Sequence, residues 1–333
     1  MSTVLLVGAG AVGARAARQL VETPGVSRLL VADRRRDRAE LVAGAVGRTA
    51  DVCEWFGDTP LPSGIDAVAA AVPGALDVAV VRHAIAAGVP CATTSDDATG
   101  LQELLALDAE ARTADVAVVA GAGLAPGLSD VLARHAADAL DEVDEVTVAR
   151  AGIAGPASEE SVRRARRDRA AEVRAGAYEL AKRRVGHELV WFPDPVGARE
   201  CEPVAPGVEL LAAAFPGIEQ VSARWAEPRT RSRLRWPARD DPEGGWAAIR
   251  VEVWGRRATA REILVYGAIE RTATAAGTVL AVTTGGLVGA LPDVVERRAG
   301  VHGLAAVARP RPFLAELSAR GVKSAAFEGV PVA

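Results

Sequence analysis

Residues 3–13 read TVLLVGAGAVG. A short apolar run opens the stretch, and three glycines follow at Gly8, Gly10 and Gly13 before residues 14–20 continue with helical character. The spacing GxGxxG says little by itself; it gains meaning when a strand precedes it and a helix follows. Gly8 permits a tight turn, Gly10 lets backbone approach a pyrophosphate, and Gly13 lets the helix pack on the strand. Ala11 and Val12 open that helix, whose free N–H groups and positive dipole end suit phosphate oxygens. A second apolar run, residues 28–32, ends on Asp33, twenty positions beyond Gly13. A carboxylate there accepts hydrogen bonds from adenosine ribose hydroxyls and repels a 2′-phosphate. NAD is therefore the expected cofactor. Arg34 can stack on adenine or pair with a 2′-phosphate, which keeps NADP as the alternative.

Outward from this unit the chain keeps alternating. Residues 49–54, 66–72, 89–94 and 116–120 read as further strands. Residues 38–45, 75–87, 99–113 and 127–139 read as helices. Apolar strands without polar alternation belong to a parallel sheet covered on both faces, and strand–helix alternation gives the doubly wound α/β architecture. Ligands of such sheets lie at the carboxyl ends of the strands. That rule selects Val72 and Pro73 after the fourth strand, Thr94, Ser95, Asp96 and Asp97 after the fifth, and Gly123, Pro126 and Gly127 after the sixth. Asp96 and Asp97 are the only titratable pair in these loops. Two roles are open to them: capping the helix that starts near Thr99, or meeting a ribose, a substrate ammonium or a proton.

The 333 residues are enough for about two domains. Half are apolar and a quarter charged, which excludes a disordered chain, a collagen-like fibre and a small disulfide scaffold. A net charge of −4 does not point to nucleic acid. All of the basic residues but Lys182 and Lys323 are arginines, so lysine Schiff-base chemistry has almost no residues to run on. Cys53, Cys91 and Cys201 are odd in number and scattered, which argues against a disulfide framework or a zinc site. No metal is expected. Residues 272–291 carry no charge over about the length of a membrane span, but five threonines among small residues make a buried helix the expectation. No signal peptide is read at the N-terminus, and the expected location is the cytoplasm.

Three motifs, GAGAVG at residues 8–13, AGVPCATTSDD at 87–97 and GAGLAPGLSD at 121–130, resemble the saccharopine dehydrogenase-like family. The third is the most specific, because that family has a Gly-x-x-Pro-Gly turn after its sixth strand. The run at residues 301–322 is similar to a short bacterial branch of the group. Thr93 stands where many members carry Asp, and Ala125 where an acidic residue often precedes the proline. The resemblance implies a Rossmann dinucleotide domain, residues 1–140 plus 300–333, with an inserted α+β substrate and dimerisation domain at 141–299. It implies NAD(P)-linked oxidoreductase chemistry at a C–N bond, CH–NH or CH–NH2, and a homodimer.

Within the middle region residues 145–153 alternate as a strand. Residues 158–184 read as one long basic helix, and 190–208 as irregular. Residues 217–235 mix strand and turn signals, with Arg229, Arg231, Arg233 and Arg235 among them. Residues 246–256 and 261–269 read as an antiparallel pair. Arginine binds carboxylates through two parallel hydrogen bonds, and Arg150 and Arg224 are the expected contacts to a carboxylate-bearing, amino-acid-derived substrate. Asp96, Asp97, His135 and His187 are the candidates for proton transfer; His83 and His302 read as packed or surface histidines. Two alternatives stand beside the C–N reading: an NAD(P)-dependent enoyl (C=C) reductase, which calls for a long apolar groove, and a nonenzymatic NAD(P)-binding protein. No nucleic-acid or membrane partner is expected.

Overall fold

The computed structural model describes residues 1–180, 186–226 and 245–327. In chain order the first part runs β1 (Ser2–Val7), α1 (Ala11–Val21), β2 (Val26–Ala32), α2 (Arg36–Val46), β3 (Ala50–Val52), β4 (Ala67–Ala70), α3 (Gly74–Ala86), β5 (Cys91–Thr93), α4 (Ala98–Leu105), α5 (Asp108–Thr113), β6 (Ala117–Val119) and α6 (Leu128–Ala137). The middle part holds β7 (Glu142–Ala151), α7 (Pro156–Arg167), β8 (Ala171–Arg174), β9 (Ala177–Leu180), β10 (Glu188–Trp191), β11 (Ala198–Val204), α8 (Val208–Ala214), β12 (Gln220–Ala226), β13 (Trp246–Arg257) and β14 (Ala260–Arg271). The chain continues with α9 (Thr272–Leu287), β15 (Gly300–His302), α10 (Leu304–Val307), α11 (Pro310–Ala319) and β16 (Ser324–Phe327).

The first sheet is parallel throughout, in the order β15-β6-β5-β4-β1-β2-β3. Strand order reverses between β1 and β4, so a crevice opens outside their carboxyl ends. Helices cover both faces, which is why Val4, Leu5, Leu6 and the whole of β4 are buried despite their lack of alternation. The second sheet is mixed, in the order β10-β11-β12-β7-β13-β14-β16, with β8 added to β12 and β9 to β8. Among the described residues only β7 and β12 run parallel in it. Its inner face, Val146, Val148, Val221, Ala223, Ile249 and Val251, shares one apolar core with α6, α8 and α9. The doubly wound parallel sheet with an added α+β unit is thus the observed fold.

Two expectations are corrected in the middle region. The long helix at 158–184 ends at Arg167, where Asp168 turns extended. Ala171 and Val173 then alternate inward as a strand that β12 pairs with, and Ala175 and Gly176 take positive φ to turn the chain into β9. The basic residues Lys182, Arg183 and Arg184 of that stretch lie outside the described residues, as do Arg229, Arg231, Arg233 and Arg235. The stretch at 190–208 is not irregular but carries β11 and the second half of β10. Earlier in the chain, the helix at 99–113 is interrupted between α4 and α5.

The small-residue helix α9 is buried along nearly its whole length and packs on α1, where a Cβ on Gly277 would stand 2.7 Å from the Val12 carbonyl oxygen and 2.7 Å from the Arg15 Cβ. The chain therefore returns to the first sheet at Thr272, ahead of residue 300. Its tail then crosses back, because β16 pairs antiparallel with β14. No helix among the described residues is long and apolar enough to cross a membrane.

Candidate active site

The turn after β1 is shaped by missing side chains. Gly8 sits at φ +100°, and a Cβ there would stand 2.4 Å from the Ala71 carbonyl oxygen. A Cβ on Gly13 would stand 1.8 Å from the Gly8 carbonyl oxygen. Gly10 differs from both: nothing lies within 4 Å of the place its Cβ would occupy. Gly10 caps α1 without any side-chain hydrogen bond, and helix geometry leaves the first amides, Ala11 to Gly13, without an intrahelical acceptor. An open space in front of uncapped amides is what a pyrophosphate requires.

Asp33 stands at the tip of β2, next to this turn. Its Oδ2 accepts from the Ala9 amide at 2.8 Å and its Oδ1 from the Arg35 amide at 2.8 Å, so backbone fixes the carboxylate's orientation. Arg34 is exposed. Across the crevice Val72 is half-buried and Pro73 caps α3. These residues form one rim, and they fit a dinucleotide.

The loops after β5 and β6 form the other rim. Their polar residues go in different directions. The Ser95 amide donates to Thr93 Oγ1 at 3.0 Å, and the Thr94 amide to the Ala70 carbonyl at 3.0 Å. Asp97 caps α4, its Oδ2 accepting from the Gly100 amide at 2.9 Å; of the two roles open to it, the structure shows the cap. Asp96 instead reaches across the molecule. After β6, Gly127 (φ +133°) fits only as glycine, since a Cβ would stand 2.0 Å from the Gly123 carbonyl oxygen. Pro126 packs on Gly121, and Gly123 lies beside Thr94.

Arg150 joins the two sheets. It comes from β7 and is 4% exposed. Its Nη1 donates to Asp96 Oδ2 at 3.1 Å and to the Ala125 carbonyl at 2.6 Å; its Nη2 donates to the same Asp96 oxygen at 3.2 Å and to Ser158 Oγ at 3.4 Å. The guanidinium lies 4.0 Å from the centre of the Trp225 ring. A substrate-binding candidate and a catalytic candidate are thus brought together as one ion pair spanning the cleft. Arg224 is not part of it. Arg150 pairs in register with Trp225, so side chains of neighbouring Arg224 point to the opposite face, where Nε donates to Glu188 Oε2 at 2.7 Å.

The histidines lie elsewhere. His135, at the end of α6, meets Tyr266 edge-on in a cavity of about 420 Å³ beside Arg309 and Arg311, and burial lowers its pKa. His187 Nδ1 lies 3.2 Å from Glu200. His83 bonds the Gly57 carbonyl, and His302 lies against Arg298.

Two buried acids beside the rim loops went unassigned in the sequence reading. Asp130, in the first turn of α6, accepts from Ser129 Oγ at 2.8 Å, and burial pushes its carboxyl up to about 7. Asp77, in the first turn of α3, is wholly buried. A signal for it existed in helical phase: Asp77 shares a face with Val81 and Ala84, four and seven positions on, and that face is buried.

No protein-family model matches the sequence, and no curated protein matches it. Solved structures do resemble it. Apo saccharopine dehydrogenase (L-Glu forming) from Saccharomyces cerevisiae superposes with a TM-score of 0.68 at 15% identity, over 98% of this chain and 100% of that one. Amine dehydrogenase from Mycobacterium smegmatis superposes with a TM-score of 0.54 at 15% identity, over 93% and 97%. At such identity the likeness shows a shared fold, in line with the resemblance read from the three motifs.

Proposed function

We propose that the protein is an NAD(P)-dependent oxidoreductase acting at a C–N bond, CH–NH or CH–NH2, of a carboxylate-bearing, amino-acid-derived substrate. The observation that carries this reading is the pairing of an open, uncapped α1 terminus at Gly10 with a buried arginine across the same crevice. Gly8, Gly10, Ala11, Val12 and Gly13 would hold the pyrophosphate, and Asp33 the adenosine ribose. Val72, Pro73, Thr94, Ser95, Gly123, Pro126 and Gly127 would line the nicotinamide end. The cofactor supplies hydride transfer when bound. Asp33 favours NAD over NADP, with exposed Arg34 able to meet a 2′-phosphate.

Arg150 is the substrate anchor in this reading: a substrate carboxylate competes with Asp96 for the guanidinium, which frees Asp96 to accept or return a proton. Two solved proteins that share the fold are named as dehydrogenases of saccharopine and of amines, which supports the C–N assignment over C=C reduction. A buried Arg–Asp pair also does not suit a long apolar groove. A homodimer in the cytoplasm remains the expected setting.

The test is spectrophotometric turnover of NAD(H) and NADP(H) against a panel of amines and of 2-oxo acids or aldehydes paired with amines. Turnover with a carboxylate-bearing pair is the expected result. Tight cofactor binding with no turnover on any C–N substrate would overturn the enzymatic reading in favour of a nonenzymatic NAD(P)-binding protein.

A further inference from the structure

Asp77 is a carboxyl with nowhere to put a charge. It is 0% exposed, and neither of its oxygens is hydrogen-bonded. The hydroxyls of Thr93 and Ser95 lie beside it, and Ser95 Oγ is also buried without a partner. Thr93 Oγ1 is already accepting from the Ser95 amide. A Cβ on Gly100 would stand 3.4 Å from Ser95 Oγ, 3.4 Å from Asp97 Oδ2 and 3.5 Å from the Gly74 Cα. Ser95 Oγ therefore lies between the starts of α3 and α4, beside Asp77.

An ionised carboxylate left unpaired in such a place is far costlier than a neutral one. A carboxylic acid, by contrast, has a proton to give. Rotated toward Ser95 Oγ, that proton satisfies two orphaned groups at once. We propose that Asp77 is a positioning residue: as the neutral acid it donates to the Ser95 hydroxyl and so fixes the loop that presents Asp96 to Arg150. The three consecutive polar residues of the loop then each have one anchor: Ser95 below on Asp77, Asp96 across on Arg150, and Asp97 along on the α4 amide of Gly100.

The electrostatics agree. Burial pushes the Asp77 carboxyl well above the usual carboxylate range, and the nearby carboxylates of Asp96 and Asp97 push it further in the same direction. A further titratable neighbour is the Cys91 thiol on β5, itself buried and pushed up by that burial. This inference rests on the oxidoreductase reading only for its purpose, the placing of Asp96; the state of the carboxyl can be read without cofactor.

The experiment has two parts on the full chain. Infrared or carbon-13 spectroscopy at neutral pH is expected to show, in the wild type and in Asp130→Asn alike, a protonated Asp carboxyl that Asp77→Asn removes; the Asp130→Asn variant sets aside the carboxyl that burial raises to about 7. Amide exchange at Ser95 and Gly100 is expected to be unchanged in Asp77→Asn, which keeps a neutral donor, and about tenfold faster in Asp77→Leu, as loss of one buried hydrogen bond implies. An ionised Asp77 in the wild type overturns the proposal, and so does equal exchange in the Asn and Leu variants. If the Leu variant does not fold, the wild-type spectrum decides. A wild type that binds no NADH would sink the oxidoreductase reading while leaving both measurements intact.

Discussion

The two rims of the crevice are built by opposite means. The β1–α1 turn works because side chains are missing: Gly8 and Gly13 are pressed against backbone, while Gly10 faces open space. The cleft beyond it works because one large side chain is present, Arg150, which two sheets and a loop grip together. The glycine pattern of the first rim is local, Gly8 to Gly13, although Gly8 packs on Ala71 beyond the neighbouring strand β4. The second depends on a partner 54 positions away in sequence. Damage should therefore travel differently from the two rims, and substitutions can separate them.

The largest effect is expected at Gly13. Its Cβ would overlap backbone 1.8 Å away, and backbone cannot swing aside as a long side chain can. Gly13→Ala should lose about 3 kcal/mol or more of stability in urea unfolding. Gly10→Ala, with open space around it, should lose at most about 1 kcal/mol, the difference between glycine and alanine at a helix N-cap, yet bind NADH much more weakly. Equal stability losses in the two variants would break the view that one glycine serves packing and the other the ligand.

Next is Arg150. Removing one member of a buried ion pair leaves the other uncompensated, and Arg150→Ala should cost about 3 kcal/mol, the low end of such losses because Asp96 retains some solvent access. Arg150→Lys should recover little, since it loses both the two-pronged contact with Asp96 and the stacking on Trp225. A loss below about 1 kcal/mol in the alanine variant would show that the cleft does not depend on this pair.

These contrasts explain what could be read from sequence. The first sheet was legible because its information is local: apolar runs, glycine spacing and a terminal Asp33 fix strand, turn and helix without reference to distant residues. Arg150 was legible as a residue type but not as a partner of Asp96, because register across the second sheet decides which arginines face inward. A shift of one residue separates Arg150 from Arg224, and no periodicity in 217–226 reveals the phase. The helix expected at 158–184 failed for a related reason. The inward alternation of Ala171 and Val173 is too short to stand out in a charged stretch, and β8 forms because β12 offers it an edge.

Asp130 sharpens the comparison through pH. Its carboxyl is ordinarily near 3.8 and is raised to about 7 in the folded chain, chiefly by burial. Below the lower value both folded and unfolded forms are protonated, and the residue is neutral to stability. Between the two values the folded state holds a proton that the unfolded state has released, so stability falls as pH rises, and it levels off above about 7. Asp130→Asn should remove this slope. Its advantage over the wild type in chemical unfolding should be absent at acid pH, grow through the window and then stay constant. An advantage that is the same at every pH would mean that packing, not protonation, sets the difference.

The smallest effect belongs to Asp33, and it bears on the local rim alone. The carboxylate is oriented by the Ala9 and Arg35 amides, so it meets a ribose without having to be reorganised. Hydrogen bonds to a charged group contribute about 1.5–3 kcal/mol, but the amides now held by Asp33 would have to find water in its absence, which both cofactors feel alike. The difference between them is what the residue decides: NADH gains a hydrogen bond from the 2′-hydroxyl, whereas NADPH brings a phosphate that the carboxylate repels. Asp33→Ala should weaken NADH binding by about tenfold while leaving NADPH binding level or improved, the improvement coming through Arg34. Titration of both cofactors by fluorescence reads this directly. An equal loss for the two would remove the argument for NAD and leave Asp33 as a turn residue, fixing Ala9 and nothing beyond it.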